Sequence, residues 1–224
     1  MKQIAENLWL LHYPLSVLGT QHGRNVTVIR LRSGKTILHS MAPFTSADLE
    51  AIRALGEPSW LVESMLLHDT YARQGHDAFP SLPFLGPPGF SETVGFPTQE
   101  LMPSPPEWQG EVEVLPIEGA PMLKEHAVLH MPSRTLIVAD MVFNFRPDEK
   151  GWDRVFHRYI AGFKRYPGMS RIFRVCIKDR AAFRASVARL MERDFDRIIV
   201  GHGEVIESNG KALLQRALAD AGMG

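Results

Sequence analysis

Four side chains of this sequence stand where layered α/β proteins do their chemistry. His39, Asp140 and His202 each come immediately after, or one residue after, an apolar run that reads as a strand, and His68 follows a fourth such run at a slightly greater distance. Polar residues at the carboxyl ends of strands tend to converge on the ligand crevice of such domains. Imidazole and carboxylate are also the nitrogen and oxygen donors that zinc takes at about 2.0–2.2 Å. His68, Asp140 and His202 could supply three ligands to one divalent metal, zinc, iron or manganese. Such an ion lowers the pKa of a bound water towards 7, ready to attack an ester, amide, lactone or phosphodiester. Asp69, His39 and His76 are the candidates to complete that set or to orient it through hydrogen bonds.

Plainer roles compete for the same residues. His202, flanked by Gly201 and Gly203, could simply hydrogen-bond Asp140 and fix two loops. The same two residues could act without metal as an acid/base pair, Asp140 could cap the segment after it, and His68 could be an ordinary loop histidine. His76 lies in the turn Gln74-Gly75-His76-Asp77, where a surface position is expected. His126 and His130 have the i, i+4 spacing of a helical metal pair, but they fall in a strand pattern, where about 3.3 Å per residue places them roughly 13 Å apart.

The elements that must position these residues alternate between strand and helix. Asn7 to His12 and Asn25 to Leu31 read as strands. The turn Arg32-Ser33-Gly34-Lys35 then leads into a third, Thr36 to His39. A phosphate-binding loop at Ser33-Gly34-Lys35-Thr36 fails, because Ile29 stands where that motif needs its first glycine. Thr45 and Asp48 form a capping box for a helix ending near Gly56, with Phe44 set to pack on Leu49. Trp60 to Glu63 reads as a buried strand whose exit carries Ser64, His68 and Asp69. Residues 80–106 hold eight of the sixteen prolines and read as a long surface loop at one rim of the crevice. Three strands follow, Val112 to Ile117, His126 to Met131 and Thr135 to Ala139. The chain closes with a helix through Phe183, Val187, Leu190 and Met191, a strand Asp196 to Val200, and a helix over about 211–221.

Composition narrows the classes. The chain has 224 residues, 45% hydrophobic, with 25 Lys+Arg against 25 Asp+Glu, which predicts one globular domain spanning 1–224 that folds without needing an ion. Zero net charge argues against nucleic acid as the main partner; the 13 Lys/Arg against 5 Asp/Glu of 150–197 read mainly as a solvated helical face, which could also draw an anionic substrate. No apolar stretch reaches the roughly 20 residues of a membrane span, and Met1 to Glu6 lacks a secretion signal's apolar core, so a cytoplasmic protein is expected. The single cysteine, Cys176, reads as a buried strand residue and excludes a Cys-x-x-Cys zinc site. No Gly-x-Ser-x-Gly or Gly-x-Gly-x-x-Gly occurs, against serine-hydrolase and dinucleotide readings.

Residues 182–218, with Asp194-Phe195-Asp196-Arg197-Ile198-Ile199-Val200 running into Gly201-His202-Gly203-Glu204, resemble the C-terminal segment of the metallo-β-lactamase superfamily. Pro132-Ser133-Arg134-Thr135-Leu136-Ile137-Val138-Ala139-Asp140 resembles its strand ending in an aspartate that bridges two metals. The departures are equally plain. Of the superfamily's Thr-His-x-His-x-Asp-His loop, the stretch Glu63 to Tyr71 keeps at most one histidine and one aspartate. The next metal histidine falls on Met122, and His39-Ser40 replaces the acid that ends the second hairpin strand. Gly23-Arg24-Asn25-Val26-Thr27-Val28, His39-Ser40-Met41-Ala42-Pro43 and Ser133-Arg134-Thr135-Leu136 look like a branch lacking the full signature.

The resemblance implies a four-layer αββα sandwich (α/β, α+β). It also implies a hydrolase-like protein acting on a small molecule, with a reduced metal site at His68, Asp140 and His202, where Asp140 and His202 do the catalytic work. The alternative is a non-catalytic binding protein on the same scaffold, with no metal. An assembly of identical subunits is compatible with either.

Overall fold

The computed structural model describes residues 1–146 and 148–224. Its first half contains β1 (Lys2–Ala5), β2 (Leu8–Tyr13), β3 (Ser16–Val17), β4 (Thr20–Gln21), β5 (Arg24–Arg30), β6 (Lys35–His39), α1 (Ser46–Leu55), β7 (Glu57–Val62), α2 (Ala72–Ala78), β8 (Phe84–Gly86), α3 (Phe90–Val94) and β9 (Gln99–Glu100). The second half adds β10 (Val112–Pro116), β11 (His126–His130), β12 (Thr135–Val138), α4 (Gly151–Val155), α5 (Arg171–Cys176), α6 (Arg180–Met191), β13 (Arg197–Val200) and α7 (Gly210–Asp220). The two large sheets have the orders β1-β2-β5-β6-β7-β8-β9 and β10-β11-β12-β13, and β3 and β4 pair as a separate two-stranded ribbon. Pairing is antiparallel up to β6 and again from β10 to β12; β6 through β9, and β12 with β13, run parallel.

The period of two along each strand divides the core into layers. Ile29, Ile37, Trp60 and Val62 face Val114, Val128, Ile137 and Ile199 between the two sheets. Their neighbours Val28, Leu38 and Leu61 point outward, onto Ile52 of α1, Ala72 of α2 and Phe90 of α3. Leu129, Leu136, Val138, Ile198 and Val200 point outward from the other sheet, onto Phe173 of α5, Phe183 and Leu190 of α6 and Leu214 and Leu218 of α7. The result is helix, sheet, sheet, helix: the expected αββα order. Among the described residues no helix is long and apolar enough to cross a membrane.

Two expectations are corrected. Cys176 ends helix α5 and is half-buried; the Ser170 side chain caps that helix by accepting from the Phe173 N–H at 3.1 Å, which turns Phe173 inward and leaves Ile172 and Val175 exposed. The proline-rich segment is not a surface loop. It adds β8 and β9 to the edge of the large sheet and buries Phe84, Leu85 and Phe90, because parallel pairing of Leu61 and Val62 with Phe84 and Leu85 supplies the order its own pattern lacks.

The capping box at α1 is present: Thr45 Oγ1 accepts from the Asp48 N–H at 3.2 Å and Asp48 Oδ2 accepts from the Thr45 N–H at 2.9 Å. Thr45→Ala is therefore expected to cost about 1 kcal/mol. In a thermal melt that reads as a fall of roughly 2–4 °C; an unchanged midpoint would show that the cap carries nothing.

Candidate metal centre

The parallel pairs β6–β7 and β12–β13 send four strand ends in one direction, and the antiparallel neighbours β5 and β11 begin at that same end. Arg24 at the start of β5, His39 and Ser40 after β6, Glu63, Ser64 and His68 after β7, Glu125 before β11, Asp140 after β12 and His202 after β13 are thereby gathered at one end of the sandwich. The Gly-His-Gly turn is shaped by contact. A Cβ on Gly201 would lie 2.8 Å from His68 Cε1 and 2.7 Å from the Ala139 carbonyl, so only glycine lets this turn approach the cluster. Asn25 ties the turn to β5 by donating to the Val200 and Gly203 carbonyls at 2.8 and 2.9 Å.

His68, Asp140 and His202 converge. Asp140 Oδ1 lies 3.2 Å from His68 Nε2 and 3.3 Å from His202 Nε2, and the three candidate ligand atoms all fall within 4.8 Å of one another. Both rings are buried, while the Asp140 side chain is 22% exposed and forms the mouth of the cluster. Each ring is held from behind. His202 Nδ1 faces the Gly23 carbonyl, which can only accept, so its proton sits on Nδ1 and Nε2 presents a lone pair to Asp140. His68 Nδ1 faces a guanidinium nitrogen of Arg24, and Glu63 Oε2 lies 3.7 Å from the same atom. Beneath Asp140, the Glu125 carboxylate accepts three backbone N–H groups, Ala139 at 2.9 Å, Asp140 at 3.1 Å and Met141 at 3.3 Å.

Burial alone would raise the Asp140 carboxyl, but the His68 and His202 rings beside it outweigh that and hold it well below the ordinary range. Burial lowers His202, with Asp140 offsetting part of the shift, so the neutral ring is favoured. Burial, then the Asp140 charge, pushes Glu125 up to about 7. For His68, burial and Arg24 press downward, Asp140 and Glu63 press upward, and the charge balance lies on the raised side. The Arg24 contact decides its form, because Nδ1 opposite an N–H that cannot be given up has to accept.

A four-coordinate ion with bonds near 2.1 Å sets its ligand atoms about 3.4 Å apart. The two histidine–aspartate separations match that, and Asp140 and His202 present free acceptor lone pairs. A neutral imidazole lone pair opposite a carboxylate oxygen is unfavourable unless positive charge lies between them, so this donor set suits a divalent cation. The other expected participants lie outside the group. His39 is buried with Nε2 2.9 Å from Ser64 Oγ. Asp69 is exposed, its carbonyl accepting from the Ala72 N–H, and His76 packs on Phe96 beside Asp77. Met122 is exposed as well.

Arg24, Glu63 and Glu125 were not expected at the site. Glu63 obeys the same positional rule as the histidines, a polar residue just after a strand end; Arg24 and Glu125 stand instead at the starts of β5 and β11, which the antiparallel pairing brings to the same end of the sandwich. A crevice of about 750 Å³ opens beside the turn, lined by His22, Gly23, Asn25, Phe145 and Gly203 among others. His22 lies edge-on to His202 at 5.8 Å between ring centroids.

No protein-family model and no curated protein matches this sequence. Solved structures do match its fold. A metallo-β-lactamase from Pontibacter korlensis has a TM-score of 0.66 at 12% identity, covering 99% of this chain and 97% of its own. A metallo-β-lactamase from Erythrobacter litoralis has 0.67 at 16%, covering 99% and 95%. The 1–254 fragment of a protein described as diflavin flavoprotein A 5, from Nostoc sp. PCC 7120, has 0.64 at 16%, covering 98% and 93%. Neighbours so different in description, at such identities, share architecture and leave the activity open. Along nearly its whole length, the chain has the metallo-β-lactamase fold.

Proposed function

We propose that this chain is a metallo-β-lactamase-like hydrolase with a reduced centre, one divalent ion (zinc, iron or manganese) held by His68, Asp140 and His202. The observation that carries the reading is the meeting of acceptors at Asp140 Oδ1. The His202 lone pair, fixed there by the Gly23 carbonyl, faces the carboxylate at 3.3 Å, and on the other side the His68 ring favours the ionised form of Asp140. An ion bound there would supply Lewis acidity and draw down the pKa of coordinated water. The protein's own part is geometric. Glu125 fixes the loop that carries Asp140, Asn25 fixes the turn that carries His202, and the buried rings leave the partly exposed Asp140 facing solvent. The crevice beside His22 would seat a small substrate, with Phe145 as its apolar wall.

Metal content of untagged protein purified without chelator tests this. We expect close to one ion per chain in the wild type and almost none in His202→Ala; a wild type lacking near-stoichiometric zinc, iron or manganese ends the hydrolase reading. One contact favours the second reading, a binding protein on the same scaffold. Metal-ligating histidines as a rule give their other N–H to an acceptor, and His68 meets the Arg24 guanidinium instead.

A further inference from the structure

His68 Nδ1 has two neighbours of opposite kind, and they demand opposite tautomers. Arg24 is almost wholly buried; besides Nδ1 it reaches Ser40 Oγ at 3.0 Å through Nη1 and the His68 carbonyl at 3.3 Å through Nη2. A guanidinium carries no lone pair and does not deprotonate, so opposite it Nδ1 accepts and the ring proton sits on Nε2, directed at Asp140 Oδ1. In that tautomer Nε2 is closed to an ion.

Glu63 is the other neighbour. It is fully buried, its Oε1 accepts from the Met41 N–H at 2.7 Å, and its Oε2 has no hydrogen-bond partner among the described residues although it lies 3.7 Å from His68 Nδ1. A buried carboxylate oxygen without a donor is costly and calls for an explanation. A shift of about 1 Å would bring it into hydrogen-bond range of Nδ1.

We propose that Arg24 and Glu63 are alternative partners of His68 and set the metal affinity of the site, Arg24 holding the ring in the tautomer that refuses an ion and Glu63 stabilising the one that accepts it. The inference rests on the metal-site reading above. When an ion enters, the ring proton leaves Nε2 and is taken up on Nδ1, where Glu63 Oε2 accepts it; His68 stays neutral and no proton is lost. Arg24 withdraws from Nδ1 and keeps its bonds to Ser40 and the His68 carbonyl. Both residues are positioning residues, acting on the ion only through His68.

The test is zinc titration of the metal-free protein against a competing chromophoric chelator. Arg24→Met removes the donor and should bind zinc about tenfold more tightly than the wild type. Arg24→Lys, which can also only donate, should stay near the wild type. In Glu63→Gln the amide oxygen keeps the Met41 N–H and the amide nitrogen turns to Nδ1, so binding should weaken by about tenfold or more. The ¹⁵N resonances of the His68 ring in the metal-free wild type give a readout independent of how the variants fold: Nδ1 unprotonated and Nε2 protonated, exchanging on zinc addition. Zinc binding by the wild type with no gain in Arg24→Met, or a metal-free ring already protonated on Nδ1, overturns this proposal and leaves the metal site standing. Absence of zinc binding in the wild type and Arg24→Met alike overturns both.

Discussion

Glu125→Ala is expected to destabilise the fold by about 4 kcal/mol, since it leaves three backbone N–H groups without an acceptor at about 1–3 kcal/mol for each that stays buried. Ala139 and Met141 are fully buried, whereas Asp140 is a partly exposed residue, which sets the estimate below the full sum of three lost contacts. For a chain of this length the change reads as a fall of roughly 8–16 °C in melting temperature. Glu125→Gln separates the carboxylate from its charge. The amide oxygen can still accept from Ala139 and Met141, and the repulsion with Asp140 that helps to hold the Glu125 pKa near 7 disappears. Its cost should stay below about 2 kcal/mol, with one N–H facing an amide nitrogen. Equal losses in the two variants would show that packing, and not the three acceptor contacts, is what Glu125 contributes. On the proposed metal-site reading, the alanine variant should also bind the ion less well than the wild type, because the loop that presents Asp140 is held by those contacts.

Glu125 also marks how far the sequence could be read. Continuous apolar and β-branched runs mark β5, β6, β7, β11, β12 and β13, because both faces of these strands are buried in the sandwich, and the strand ends then place His68, Asp140 and His202 together. Strands β8 and β9, three and two residues long, have too few positions to show a period; they exist because Leu61 and Val62 offer a parallel edge. Cys176 sits in the short apolar run Ile172-Phe173-Arg174-Val175-Cys176-Ile177, which reads as strand by composition, whereas the structure has a serine-capped helix there. The charged residues were harder for a different reason. Nothing local tells a buried Arg24 from a solvated one, since its partner His68 lies 44 residues away, and the N–H groups that hold Glu125 come from 14 to 16 residues downstream. Asp69 and His76 lie near the site in sequence only: Asp69 is exposed, and helix α2 seats His76 against Phe96.

The second large effect is on acid stability, at His130. This ring is buried on β11, its Nδ1 lies 2.7 Å from Ser133 Oγ, and Ser133 donates its own hydroxyl proton to Thr135 Oγ1 at 2.9 Å. Ser133 Oγ is thus the acceptor, Nδ1 carries the proton, and Nε2 is a buried lone pair without a partner among the described residues. Protonation would place a charged N–H there with nothing to receive it, and burial accordingly lowers the pKa to about 4. Between pH 6.5 and pH 4 the unfolded chain therefore binds a proton that the folded chain refuses; stability is complete above 6.5 and is lost as pH falls towards 4. At pH 4.5, about two units below the unfolded value, the loss is roughly 2.7 kcal/mol. Glu125 works in the opposite sense, since its raised pKa makes the folded chain hold a proton that the unfolded chain releases between about 4.5 and 7, so the pH profile of the wild type alone mixes the two. The difference between wild type and His130→Gln isolates the histidine. Urea denaturation at pH 7.5 and pH 4.5 should show the variant gaining on the wild type by about 2–3 kcal/mol on acidification. A gap that is the same at both pH values would mean that His130 finds a partner for its second proton, and that the acid sensitivity of this fold lies elsewhere.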